Sequence, residues 1–134
     1  MPKPAKIHRD AIPWRGGDAA PTRVRIRRLV TRGRHGSELT LGVCEMEPGD
    51  ESNLWSSMAE NDAEPGGHWY GPVEETYYCV KGQLALAWDD GSDGGTIDFG
   101  PGDAVYLAPG HHYRLKNVGA EIAFFVYNMY PSQE

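Results

Sequence analysis

An all-β fold is predicted from three observations. Short segments of alternating apolar and polar residues recur along the chain, Gly- and Pro-rich turns separate them, and no segment sustains a 3.6-residue apolar period. Strand sets of this kind close as a sandwich or a barrel. With 134 residues the chain suffices for one domain with a substantial core.

Residues 1–21 read as an extended arm and residues 22–134 as the β-domain. Pro2, Pro4, Pro13 and Pro21, with Gly16-Gly17, keep the arm irregular, while Ile12 and Trp14 give it something to bury against the domain or a partner. Arg23 to Val30 alternates as a first strand, with Val24 and Ile26 inward. Thr31 to Ser37 is a polar turn, and Leu39 to Met46 a second strand. Glu47-Pro48-Gly49-Asp50 turns the chain. Glu51 to Gly66 is then a long connection, read either as a lid over a barrel mouth that brings Trp55 to a substrate or as a surface excursion with Trp55 at a dimer contact. Leu84, Leu86 and Trp88 share one face of a strand over Gln83 to Asp89. A hairpin loop, Asp89 to Gly95, leads to a short strand at Thr96 to Phe99. Ala104 to Ala108, Tyr113 to Asn117 and Ile122 to Tyr130 complete the set. The last is apolar on both faces and reads as buried on both sides.

Charge is unevenly placed. Residues 1–35 hold ten Lys and Arg against two acids, and residues 36–134 hold three against seventeen, within an overall net charge of −6. An acidic body argues against nucleic acid as a partner. The run Arg23 to Arg28 is either a solvated strand face or a contact with the acidic surface of a second subunit. Cys44 and Cys79 read as reduced core thiols. No apolar run is long enough to span a membrane or act as a secretory signal, so a cytoplasmic protein is expected.

The richest stretch is Gly67 to Gly82. Strand alternation puts Glu75, Tyr77 and Cys79 on one face, and His68 and Tyr70 on one face of the preceding strand. If the two segments meet, His68, Tyr70, Glu75 and Tyr77 converge, which suits a metal site or acid–base chemistry. Farther on, Tyr113 shares its face with apolar Leu115, whereas His112 lies with Arg114 and Lys116. Tyr113 is therefore the expected inward residue, and a bulge after Pro109-Gly110 would be needed to present His112 as well.

His68, Glu75 and Gly82 fall at the spacing of the first motif of the cupin family, and Gly102-Asp103 through Pro109-Gly110 to Asn117 resembles the second. The resemblance covers roughly residues 22–130 and implies a cupin double-stranded β-helix, or jelly-roll barrel. It also implies a metal held by His68, Tyr70, Glu75 and Tyr113, with Tyr70 and Tyr113 where the family carries histidines. Such an oxygen-rich set favours Fe or Mn over Zn or Ni. Glu75 to Gly82 is also similar to a stretch of the ectoine synthases, which implies a trio of Glu75, Tyr106 and His112 as iron ligands. The Glu75 and Tyr77 pair resembles one in cupin lyases of dimethylsulfoniopropionate.

Two functions follow as expectations. One is a metal-dependent cupin enzyme of the lyase, isomerase or dioxygenase kind, with Tyr77, Tyr106 or His112 in catalysis. Trp55, Trp69, Cys79, Trp88 and Phe125 would line the space for a modest organic substrate, and nearby arginines could favour an acid. The other is a metal-free cupin that binds or senses a ligand, since two metal histidines are replaced. Exposed jelly-roll edges and the arm make a homodimer the expected assembly.

Overall fold

Alternating burial sorts the strands of the computed structural model, which describes residues 3–15 and 24–133, into two facing five-stranded sheets. The strands among the described residues are β1 (Arg25–Val30), β2 (Thr40–Met46), β3 (Trp55–Ser56), β4 (His68–Trp69), β5 (Glu74–Lys81), β6 (Leu84–Asp89), β7 (Gly94–Phe99), β8 (Ala104–Leu107), β9 (His112–Asn117) and β10 (Ala123–Tyr130). The first sheet runs β1-β2-β10-β5-β8 and the second β4-β3-β9-β6-β7. All pairings are antiparallel except β3 with β4. This is the jelly-roll architecture that the sequence predicts.

The core fills the space between the sheets. Met46, Cys79, Leu107 and Phe125 project from the first sheet and Leu84, Leu86, Phe99 and Leu115 from the second, all at most 3% exposed. Each such side chain contributes about 1.5–3 kcal/mol of transfer free energy, so the core can carry a few polar groups elsewhere between the sheets. Cys44 and Cys79 are buried free thiols.

The described residues are nearly all strand and turn, as expected, with two short helical turns. A 3₁₀ turn covers Arg9–Ala11, and one α-turn covers Arg32–His35, capped by Thr31, whose Oγ1 accepts the Arg34 N–H at 3.2 Å, and ended by Gly36 at φ 67°. Four residues are too few to show a helical period. Glu51 to Gly66 is not one loop, because β3 lies within it, and Trp55 is buried at 6% exposure rather than on the surface. The strand β10 is buried on one face only. Its other face, with Phe124, Val126 and Asn128, is half-covered.

The described part of the arm lies on its own domain. Arg15 and Ile26 exchange backbone hydrogen bonds of 2.9 and 2.8 Å, and the Arg27 guanidinium sits 4.0 Å over Trp14. The outward arginines of β1 are neutralised within the chain, Arg25 by Glu45 at 2.6 Å and Arg27 by Asp10 at 2.9 Å. Arg23 and residues 16–21 of the arm lie outside the described residues. No helix among the described residues is long and apolar enough to cross a membrane.

Candidate functional site

Two rows of paired residues build the site. Across the first sheet run Arg28, Gly42, Tyr127, Tyr77 and Val105, each opposite the next. The glycine is required here, because a Cβ at position 42 would overlap the Tyr127 ring. With that space open, the Tyr127 ring lies across β2 and its hydroxyl accepts a hydrogen bond from Arg28 Nε at 3.1 Å. The bond fixes a guanidinium on the inner wall of the barrel. The next inward residue along β5 is Glu75, opposite Met129 and Leu107. Across the second sheet run His68, Trp55, Tyr113 and Trp88.

These rows enclose a cavity of about 320 Å³, whose polar lining residues include Arg28, Trp55, His68, Tyr70, Glu75 and Tyr77. Apolar Ile26, Leu115, Phe125 and Met129 line it among these polar groups, and Arg15 of the arm reaches its lining. The volume is at the small end for ligand pockets.

Glu75 is the chemical centre. It is 6% exposed. Burial raises its carboxyl from 4.5 to about 7, against the opposing pull of the Trp55 N–H and the Arg28 charge. Burial also raises the phenols of Tyr70, Tyr77 and Tyr127, so all three are neutral hydrogen-bonding groups at physiological pH. The His68 and Tyr70 rings lie 4.2 Å apart. Among the described residues, the buried Trp55 indole N–H has no hydrogen-bond partner of normal geometry, although it acts on Glu75 as a hydrogen-bond donor and so lowers its proton affinity. Buried donors are almost always paired, so this one marks a place for a ligand atom or an ordered water.

The structure brings His68, Tyr70, Glu75 and Tyr77 to one cavity, with Phe125 and Trp55. It does not bring the other expected residues there. Tyr113 is buried and inward, but its hydroxyl donates to the Ala108 carbonyl at 2.6 Å. His112 is on the outward row with Trp69, Ser56 and Asp89. Its ring nitrogens bond Asp89 at 2.9 Å and Asp62, and these two carboxylates raise its pKa, Asp62 most. Tyr106 is 60% exposed on the outer face and donates to Glu74 at 2.9 Å. The trio of Glu75, Tyr106 and His112 is therefore not assembled. Cys79 packs at the far end of β5, its Sγ 3.5 Å from the Lys81 carbonyl. Trp69 bonds the Met58 carbonyl at 2.9 Å, and Trp88 packs edge-on to His111. None of these three lines the cavity.

Sequence reading missed Arg28, Tyr127 and Gly42 as site-forming residues. The signal for Arg28 was present, since it lies two and four residues from inward Ile26 and Val24. The pairing with Tyr127 depends on β2 and β10 being neighbours, which no local pattern reveals.

The donor set does not fit the metal centre implied by the family motif. His68 is the one imidazole on the cavity, Tyr113 spends its hydroxyl on Ala108, and the Arg28 charge already acts on Glu75. No group of three or more His, Cys, Asp or Glu side chains among the described residues is arranged to hold a metal ion.

A jelly-roll barrel whose interior cavity carries a buried carboxyl, a guanidinium and phenols among apolar side chains defines the class. The cupin domain model matches residues 42–129, and the chain belongs to the cupin family. No curated protein matches it. Among solved structures, it is similar to a predicted oxalate decarboxylase from Thermotoga maritima, with a TM-score of 0.72 at 14% identity over 95% of this chain and 99% of that one. It is similar to the polyketide cyclase RemF from Streptomyces resistomycificus, with a TM-score of 0.69 at 16% identity over 97% and 81%. It is also similar to Drosophila melanogaster CENP-C bound to CAL1, with a TM-score of 0.65 at 10% identity over 91% and 79%. These likenesses establish the fold; function has to be argued from the cavity.

Proposed function

We propose that this cupin is a small-molecule enzyme of the lyase or isomerase kind that works by proton transfer at Glu75, without a resident metal. The observation that carries the reading is a buried carboxyl held near pKa 7 on an accessible cavity. At neutral pH about half of such groups are ionised, which suits a general base that must also return its proton. Glu75 takes a proton from a carbon next to a carbonyl, and the C–H electron pair moves into an enolate. Neutral donors, the Trp55 N–H and the Tyr70 hydroxyl, stabilise the enolate oxygen. Return of the proton to another atom gives an isomerase, and expulsion of a β-leaving group gives a lyase.

A homodimer belongs to the same reading. Tyr78, Val80, Tyr106 and Tyr130 stand 49–60% exposed. Tyr78, Val80 and Tyr106 lie on the outer face of the first sheet, and an apolar patch there suits an interface.

Two measurements test the reading together. The first is metal content by mass spectrometry of tag-free protein, with His68→Ala and Glu75→Ala alongside. The second is exchange of α-hydrogens with D₂O across a panel of small carbonyl compounds, charged and uncharged. Exchange above background that falls at least 100-fold in Glu75→Gln, in protein with only trace metal, supports the proposal. Near-stoichiometric Fe or Mn lost in both alanine variants overturns the metal-free reading. A cavity that binds compounds but exchanges none belongs to a ligand-binding cupin.

A further inference from the structure

The geometry points to a small 2-oxo acid with an apolar substituent as the occupant of the barrel cavity, its oxo oxygen on the Trp55 N–H and its carboxylate on Arg28. This inference rests on the proposal that the cavity is a substrate site. Three features of the cavity set three separate demands on a ligand.

The first is the Trp55 donor. It is more than nine-tenths buried, lines the cavity and has no hydrogen-bond partner of normal geometry. An indole N–H only donates, so its natural complement is an acceptor oxygen. Its proximity to Glu75 sets that oxygen beside the carboxyl, as α-proton transfer requires.

The second is Arg28. Gly42 and Tyr127 hold its guanidinium on the cavity wall. A guanidinium has five N–H donors in a planar fork; Nε serves Tyr127, and the group also hydrogen-bonds the Tyr70 hydroxyl, so a ligand carboxylate would share the fork with them. The fork matches a carboxylate better than a hydroxyl or an amide, because charge-assisted pairs are about twice as strong as neutral ones. A carboxylate one carbon from the oxo group is the shortest way to serve Arg28 and Trp55 with one molecule.

The third is the apolar lining, in which Ile26, Phe125 and Met129 flank the row of Arg28, Tyr127 and Tyr77 on the first sheet and Leu115 lies on the second. It suits an aliphatic or aromatic substituent. A volume of about 320 Å³ holds roughly ten waters' worth of space, at about 30 Å³ each, which limits the whole ligand to a modest acid.

The test is isothermal titration of the full chain with three compounds sharing one carbon skeleton. Phenylpyruvate offers oxo group and carboxylate, 3-phenylpropanoate lacks the oxo group, and phenylpyruvamide lacks the charge. Phenylpyruvate should bind at least tenfold tighter than either of the others. Trp55→Phe should bring phenylpyruvate to the level of 3-phenylpropanoate, and Arg28→Gln should bring it to the level of the amide. Glu75→Gln should bind phenylpyruvate as well as the parent or better, so failed proton chemistry and failed recognition give different results. The comparison of ligands on the parent protein stands even if a variant folds poorly. Equal binding of all three, tighter binding of the amide, or no binding at millimolar concentration overturns the inference.

Discussion

Replacing Glu75 with Gln should make the folded protein less sensitive to pH, and the size of the effect can be worked from the site. The amide keeps the shape of the carboxyl and removes its titration. In the parent, the carboxyl stands at about 7 when folded, against an ordinary value of 4.5, because burial disfavours its charged form. The folded value is raised, so the stability associated with the group is fully present below about 4.5 and is lost as the pH rises through about 7. Between those limits the folded state holds a proton that the unfolded state has released, and stability falls by about 1.4 kcal/mol per pH unit. The total is about 3 kcal/mol. Urea unfolding of parent and variant, from about pH 4 to about pH 8, measures it, because other titrating groups largely cancel in the difference. The variant should gain on the parent steadily up to about pH 7 and then level off, with a relative midpoint change on the order of 1–3 M urea. A difference that stays constant across the range refutes the reasoning, since it would mean that Glu75 titrates as an exposed carboxyl does.

Gly42→Ala should destabilise by about 1–3 kcal/mol through overlap with the Tyr127 ring, and should weaken acid binding by releasing Arg28; urea midpoints and titration with phenylpyruvate check both. Tyr113→Phe should cost about 1 kcal/mol through its lost bond to Ala108 and leave metal content unchanged, whereas a metal lost with the hydroxyl would restore the four-ligand reading. The His112 ring should titrate above 6.5 by NMR and fall toward that value in Asp62→Asn. The clasp it forms with Asp62 and Asp89 is fully present below the unfolded value and fades as the pH rises through the folded one.

Period-2 alternation made much of the barrel legible. It put Glu75 and Tyr77 inward together and chose Tyr113 over His112, and the two-sheet register agrees with both. The same rule, applied to Val105 and Leu107, turns Tyr106 outward, so the trio with Glu75 and His112 conflicted with a pattern already visible. Arg28 also obeyed the rule, but its charge made a solvated face the expected place for it. What holds that half-buried charge inward is a hydroxyl on β10 reaching across a glycine on β2, a contact between residues 99 positions apart. Trp55 was expected among the substrate-lining residues and does line the cavity, but the strand that carries it there was not legible. A two-residue strand has no period, and only its pairing with β9 and β4 fixes the side that faces in.

The same register shows why His112 cannot move inward to complete a metal set. Rows on β9 alternate strictly, with His112, Arg114 and Lys116 outward and Tyr113, Leu115 and Asn117 buried at 5% exposure or less. A one-residue slip would bring His112 in only by turning Leu115 into solvent and pulling Asn117 from the Met46 and Glu121 carbonyls, each 2.9 Å away. Losing the buried leucine alone costs about 1.5–3 kcal/mol, and orphaned carbonyls add to that. A bulge confined to the turn after Gly110 avoids the slip but must break His112 away from Asp89 and Asp62 and displace Tyr113 from Ala108. Among the described residues, Glu75 is the one carboxylate lining the cavity, and the Arg28 charge already acts on it. Tyr70, Tyr113 and the guanidinium of Arg28 therefore act in the same direction and leave a hydrogen-bonding pocket built around one buried carboxyl.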